Sequence, residues 1–126
     1  MILYHSADLL WATRIKKTAE ALGLPCRPVR SLDMLKARLA DSPVRALVVD
    51  LDAPETALEL IRALRGDESR EPLDPHRSIH ILAYGPHVAV EAFENARQAG
   101  AQTVLARGAF DRGLDRILTE LGAAPH

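Results

Sequence analysis

Cysteine is nearly absent. The lone Cys26 cannot form an internal disulfide, so no disulfide framework holds this chain, and a reducing, cytoplasmic setting is expected. Long apolar runs are missing too: no stretch approaches the ~20 apolar residues of a membrane-spanning helix. The opening "MILYHSADLL" lacks the basic region that precedes the apolar core of a secretory leader. Neither sign of charge dominates. Lys and Arg number 16 against 17 Asp and Glu, a net −1, which leaves no overall field to attract nucleic acid or an anionic membrane. Phosphate cradles of the G-x-G-x-x-G or G-x-x-x-x-G-K type do not occur, so nucleotide or flavin binding has no motif behind it. The histidines, His5, His76, His80, His87 and His126, show no H-x-x-x-H or Cys/His spacing and read as isolated strand-end or surface residues.

What is present is a regular alternation. The length of 126 residues suits a single domain, 1–126, with a real core and no room for an appended output domain. "ILYH" reads as a strand, and from Asp8 the residues Trp11, Ile15, Ala19 and Leu22 fall on one helical face that Gly23 ends. "LPCRPVR" is a poor strand, since Pro25 and Pro28 each remove a ladder donor, and it belongs at a sheet edge. Ser31 caps a helix striped by Leu32, Leu35 and Leu39. "ALVV" is a buried strand, followed by a helix over Pro54 to Arg65 with Leu58, Ile61 and Leu64 on its apolar face. "GDESREPLDPHRS" has no apolar periodicity and reads as a surface loop. "IHILAY" is the fourth strand, and Val88, Ala92, Ala96 and Ala99 mark a helix closed by Gly100. "QTVLA" is the fifth strand, and Phe110, Leu114, Ile117 and Leu121 line one last helix. Five strands alternating with five helices predict an α/β fold, a doubly wound parallel sheet covered on both faces.

Asp50 ends the third strand where the next helix begins, and ligands of open parallel sheets bind at that edge. The stretch "VVDLDAPETALELIRALR", with "ILAYG" and "ARQAGAQTVLARGAF", resembles the receiver domain of two-component response regulators over the whole chain. The resemblance implies a flavodoxin-like (βα)5 fold with strand order 2-1-3-4-5 and makes Asp50 the phospho-acceptor position. Asp52 falls where a carbonyl helps to bind Mg²⁺, and Asp50, Asp52 and Asp8 are the metal candidates. A phospho-acceptor needs such a cation, because a carboxylate must meet an incoming anion.

Four departures from the family pattern stand out. His5 and Ser6 occupy the place of the acid pair after the first strand, and Asp8, the nearest acid, suits a helix cap. Asp52, just before Ala53 and Pro54, suits a cap as well. Gly85 falls where a Ser or Thr hydroxyl acts as the switch, and Arg107 where a lysine reaches the phosphoryl group. Gly108 and Ala109 follow in place of a proline after a cis peptide. The implied function is an atypical receiver that works as a protein-interaction module, not as an enzyme, with Mg²⁺ weak and Asp50 paired to Arg107. A protein partner or a second copy is expected through the fourth helix, fifth strand and fifth helix, where Arg107, Asp111, Arg112, Asp115 and Arg116 alternate in sign.

Two alternatives stay open: a working phospho-acceptor using Asp50 with Mg²⁺, and a small flavodoxin-like ligand-binding protein or enzyme. The D-x-D of "DLDAPE" also occurs in haloacid-dehalogenase phosphatases, but Pro54 breaks their pattern and the motif lies on the third strand instead of the first. Trp11 and Phe93 are read as packing residues.

Overall fold

The computed structural model describes residues 1–123; His126 lies outside them. In chain order the elements are β1 (Ile2–His5), α1 (Leu9–Ala21), β2 (Cys26–Pro28), α2 (Leu32–Asp41), β3 (Ala46–Asp50), α3 (Pro54–Arg65), β4 (His80–Gly85), α4 (Val90–Ala99), β5 (Thr103–Ala106), α5 (Arg107–Arg112) and α6 (Leu114–Gly122). The strands form one parallel sheet in the order β2-β1-β3-β4-β5, which is the predicted fold class and order. β2 lies at an edge, where Pro28 costs no ladder bond.

Alternation along each buried strand sends side chains to two cores. Leu3, Leu47, Val49 and Ile81 pack with Leu35, Leu60, Ile61, Leu64 and Ala96 on the face covered by α2, α3 and α4. Ile2, Tyr4, Val48, Leu82 and Tyr84 pack with Ile15, Phe110 and Leu118 on the face covered by α1, α5 and α6.

Four local readings need correction. The last helix is two: the apolar stripe from Phe110 to Leu121 runs on, but Gly113 leaves helical geometry and separates α5 from α6. Val88 precedes α4 and is 73% exposed, so it takes no part in that helix's inner face. On α3 the deepest contacts come from Ala57, Leu60, Ile61 and Leu64, and Leu58 is only half-buried. The segment between α3 and β4 is not wholly at the surface: Asp74 is buried and meets Arg65, with side chains only 6% and 2% exposed. Arg65 also donates to the carbonyls of Ile79 and Gly100 and to Gln102 Oε1, while Asp74 accepts from the N–H groups of Ser78 and Ile79 and from the Ser78 hydroxyl. That network ties the end of α3 to the starts of β4 and β5.

Candidate functional site

Parallel strands end together, so β3 delivers Asp50 and β5 delivers Arg107 to one edge of the sheet. Asp50 lies opposite Tyr84 in the register, and Gly85 lies opposite Ala106, the residue before Arg107. The Asp50 side chain has no exposed surface. Its Oδ1 accepts from the N–H of Asp52 at 2.9 Å, and its Oδ2 accepts from the N–H of Ala7 and the hydroxyl of Ser6, both at 3.3 Å. Buried carboxylates need such donors.

Arg107 Nη2 lies 3.6 Å from Asp50 Oδ1 and donates a short hydrogen bond to Asp52 Oδ2. One guanidinium thus bridges both carboxylates. Burial alone would lower the affinity of Arg107 for its proton, but the hydrogen bond and charge of Asp52, followed by the charge of Asp50, raise it above the ordinary arginine value. The guanidinium also lies over the Trp11 ring, 5.9 Å from the centroid, where the ring's negative face attracts a cation. Trp11 in turn leans on Tyr84 and Phe110, which stack on each other at 4.3 Å.

Two hydroxyl groups at this edge escaped the sequence reading. Tyr84 donates to Ser6 Oγ at 3.2 Å, and Ser6 has a single hydrogen to share between Asp50 Oδ2 and the carbonyl of Asp8. Burial pushes the Tyr84 phenol well above its ordinary range; the Ser6 hydrogen bond pulls it back in part, and the Asp50 charge pushes it up again. The available signal was a tyrosine inside an otherwise apolar strand, since a buried phenol requires a partner.

The remaining candidates are dispersed. Asp8 caps α1, accepting from the N–H of Leu10 at 2.8 Å. Asp52 does not cap α3, because its carboxylate turns to Arg107 and the N-cap position is taken by Ala53 with no side-chain bond. His5 is buried with Nδ1 on the carbonyl of Val29. At Gly85 a β-carbon would lie 3.0 Å from Leu51 Cβ and 3.3 Å from Phe93 Cε1, so any side chain there is crowded. Of the mixed-charge set, Arg107 faces Asp50 and Asp52, and Asp111 pairs with Arg14 of α1 at 2.5 Å. Arg112, Asp115 and Arg116 are exposed.

Mg²⁺ requires near-octahedral oxygen ligands. Here the nearest cationic position is taken by Arg107, His5 is turned to a backbone carbonyl, and Asp8 is engaged as a cap. No group of three or more His, Cys, Asp or Glu side chains among the described residues is arranged to hold a metal. Asp50 and Asp52 are the two carboxylates that stand together here, and the Arg107 guanidinium takes the place of a cation between them.

No family model matches the sequence, and no curated protein matches it. Solved structures do. A response regulator receiver domain from Bermanella marisrubri is 22% identical, with a TM-score of 0.69 over 95% of each chain. A response regulator from Thermotoga maritima is 15% identical, with a TM-score of 0.72 over 98% of this chain and 97% of that one. One from Hahella chejuensis is 14% identical, with a TM-score of 0.75 over 99% and 96%. The described residues therefore have the receiver-domain fold throughout. No helix among the described residues is long and apolar enough to cross a membrane.

Proposed function

We propose that this chain is a receiver-like signalling module that acts by binding a protein partner, without a phosphoryl group passing through Asp50 and without enzymatic turnover. The observation that carries this reading is the Arg107 guanidinium bridging Asp50 and Asp52. A phospho-acceptor carboxylate needs a cation that offers open coordination positions to the incoming phosphoryl oxygens. A guanidinium offers N–H donors and no coordination sphere, and here it is tied down by two acids and an indole. Gly85 supports the same reading, because it supplies no hydroxyl to follow a phosphoryl group and a β-carbon there would press on Leu51 and Phe93. The partner face comprises α4, β5, α5 and α6, where Arg112, Asp115 and Arg116 offer exposed charge of both signs.

The test is intact-mass spectrometry after incubation with acetyl phosphate and Mg²⁺. The expected mass is unchanged, and Asp50→Asn is expected to retain the same partner as the wild type in pull-downs from the source cell. A stable added phosphoryl group mapped to Asp50 would replace this reading by a working phospho-acceptor.

A further inference from the structure

We propose that the recess between α6 and the β4–β5 half of the sheet is a binding site for a small amphiphile with an apolar body and a carboxylate end. It lies at the opposite edge of the sheet from Asp50, since His80 and Thr103 on its floor are the first residues of β4 and β5. α5 stops after Arg112, α6 packs toward α1, and all four residues of β5 are left half-buried. The space measures about 710 Å³, within the ~300–1,000 Å³ of small-molecule sites.

Its lining has the character of such a site. Leu82, Leu105, Ile117 and Leu121 form apolar walls, and among them His80 Nε2 and Thr103 Oγ1 meet at 2.7 Å. Burial, followed by the charge of Arg65, lowers the pKa of His80, so at neutral pH the floor is polar and uncharged. The formal charges belong to Arg45, Arg116 and Glu120. Arg116 Nη1 pairs with Glu120, and Arg45 Nη1 donates to the carbonyl of Ala123. Each guanidinium keeps further N–H donors, and two cations against one anion leave a positive balance. An apolar wall with guanidinium forks beside it selects a carboxylate over an alcohol or an ammonium group.

Decanoate, decanol and decyltrimethylammonium, each below its micellar concentration, serve as probes in amide NMR titrations of the full chain. Decanoate is expected to shift Thr103, Leu105, Ile117 and Leu121 saturably and to bind about tenfold more tightly than decanol. Arg45→Gln with Arg116→Gln should abolish that preference while leaving the fold intact, and Ala109→Trp, which grows into the recess from α5, should abolish binding. The surface arginine pair keeps the test decisive even where Ala109→Trp fails to fold. Three probes of equal affinity, shifts that do not saturate, or a dimer in sedimentation that covers Leu105 and Ile117 would overturn the proposal.

Discussion

Arg107 and Asp50 lie 3.6 Å apart with side-chain exposures of 29% and 0%. Removing the guanidinium leaves a buried carboxylate with backbone and hydroxyl donors but no counter-charge. Breaking a fully buried pair costs ~3–5 kcal/mol and an exposed one ~0–1. The partial exposure of Arg107 places Arg107→Ala between them, at about 1–3 kcal/mol in urea unfolding, with Arg107→Lys milder. A double-mutant cycle with Asp50→Ala should return a coupling energy clearly different from zero.

Trp11 is the only tryptophan in the chain, and its ring carries the Arg107 guanidinium. Its emission should therefore change in Arg107→Ala and stay constant when Mg²⁺ is added to the wild type. A saturable Mg²⁺ response of the wild type, lost in Asp50→Asn, would show that the arginine yields its place to the metal.

Gly85→Ser does not restore a switch. Its β-carbon would press on Leu51 and Phe93, and overpacking of this kind costs ~1–3 kcal/mol. The expected result is a lower urea midpoint with unchanged slope.

Asp74 contributes to the acid side of the stability profile. Burial would raise its pKa, but the N–H of Ile79, the hydroxyl and N–H of Ser78 and the charge of Arg65 together hold it below the ordinary carboxylate value. A carboxyl depressed on folding adds stability that is complete above its unfolded pKa, about 3.9, and is lost as pH falls through the folded value. Urea midpoints of the wild type should therefore decline below about pH 4, and Asp74→Asn should be less stable at pH 7 and flatter in the acid range.

The sheet could be read from local signals: "ALVVD" with Pro54 set β3 and α3, and Pro25 with Pro28 placed β2 at an edge. Periodicity failed at Gly113, because a stripe at helical spacing persists across a break that changes only the direction of the axis. It failed also for Arg65 and Asp74, since charged residues in a polar segment look solvated until the chain closes over them. At the site, Asp50 and Arg107 were legible from their places at strand ends. Ser6 and Tyr84 were not, because a hydroxyl's partner depends on contacts between residues 78 positions apart.

The edge strand β2 limits how copies of this chain could join through their backbones. Val29 donates inward to the carbonyl of Tyr4, so the alternate residues Cys26 and Pro28 turn their backbone outward, and Pro28 has no N–H to offer. The far margin, β5, contains no proline and has a neighbour on one side only. Strand pairing between molecules can then proceed from one margin alone, and two copies joined β5 to β5 have used it up. Such growth stops at a closed pair and cannot propagate into a filament.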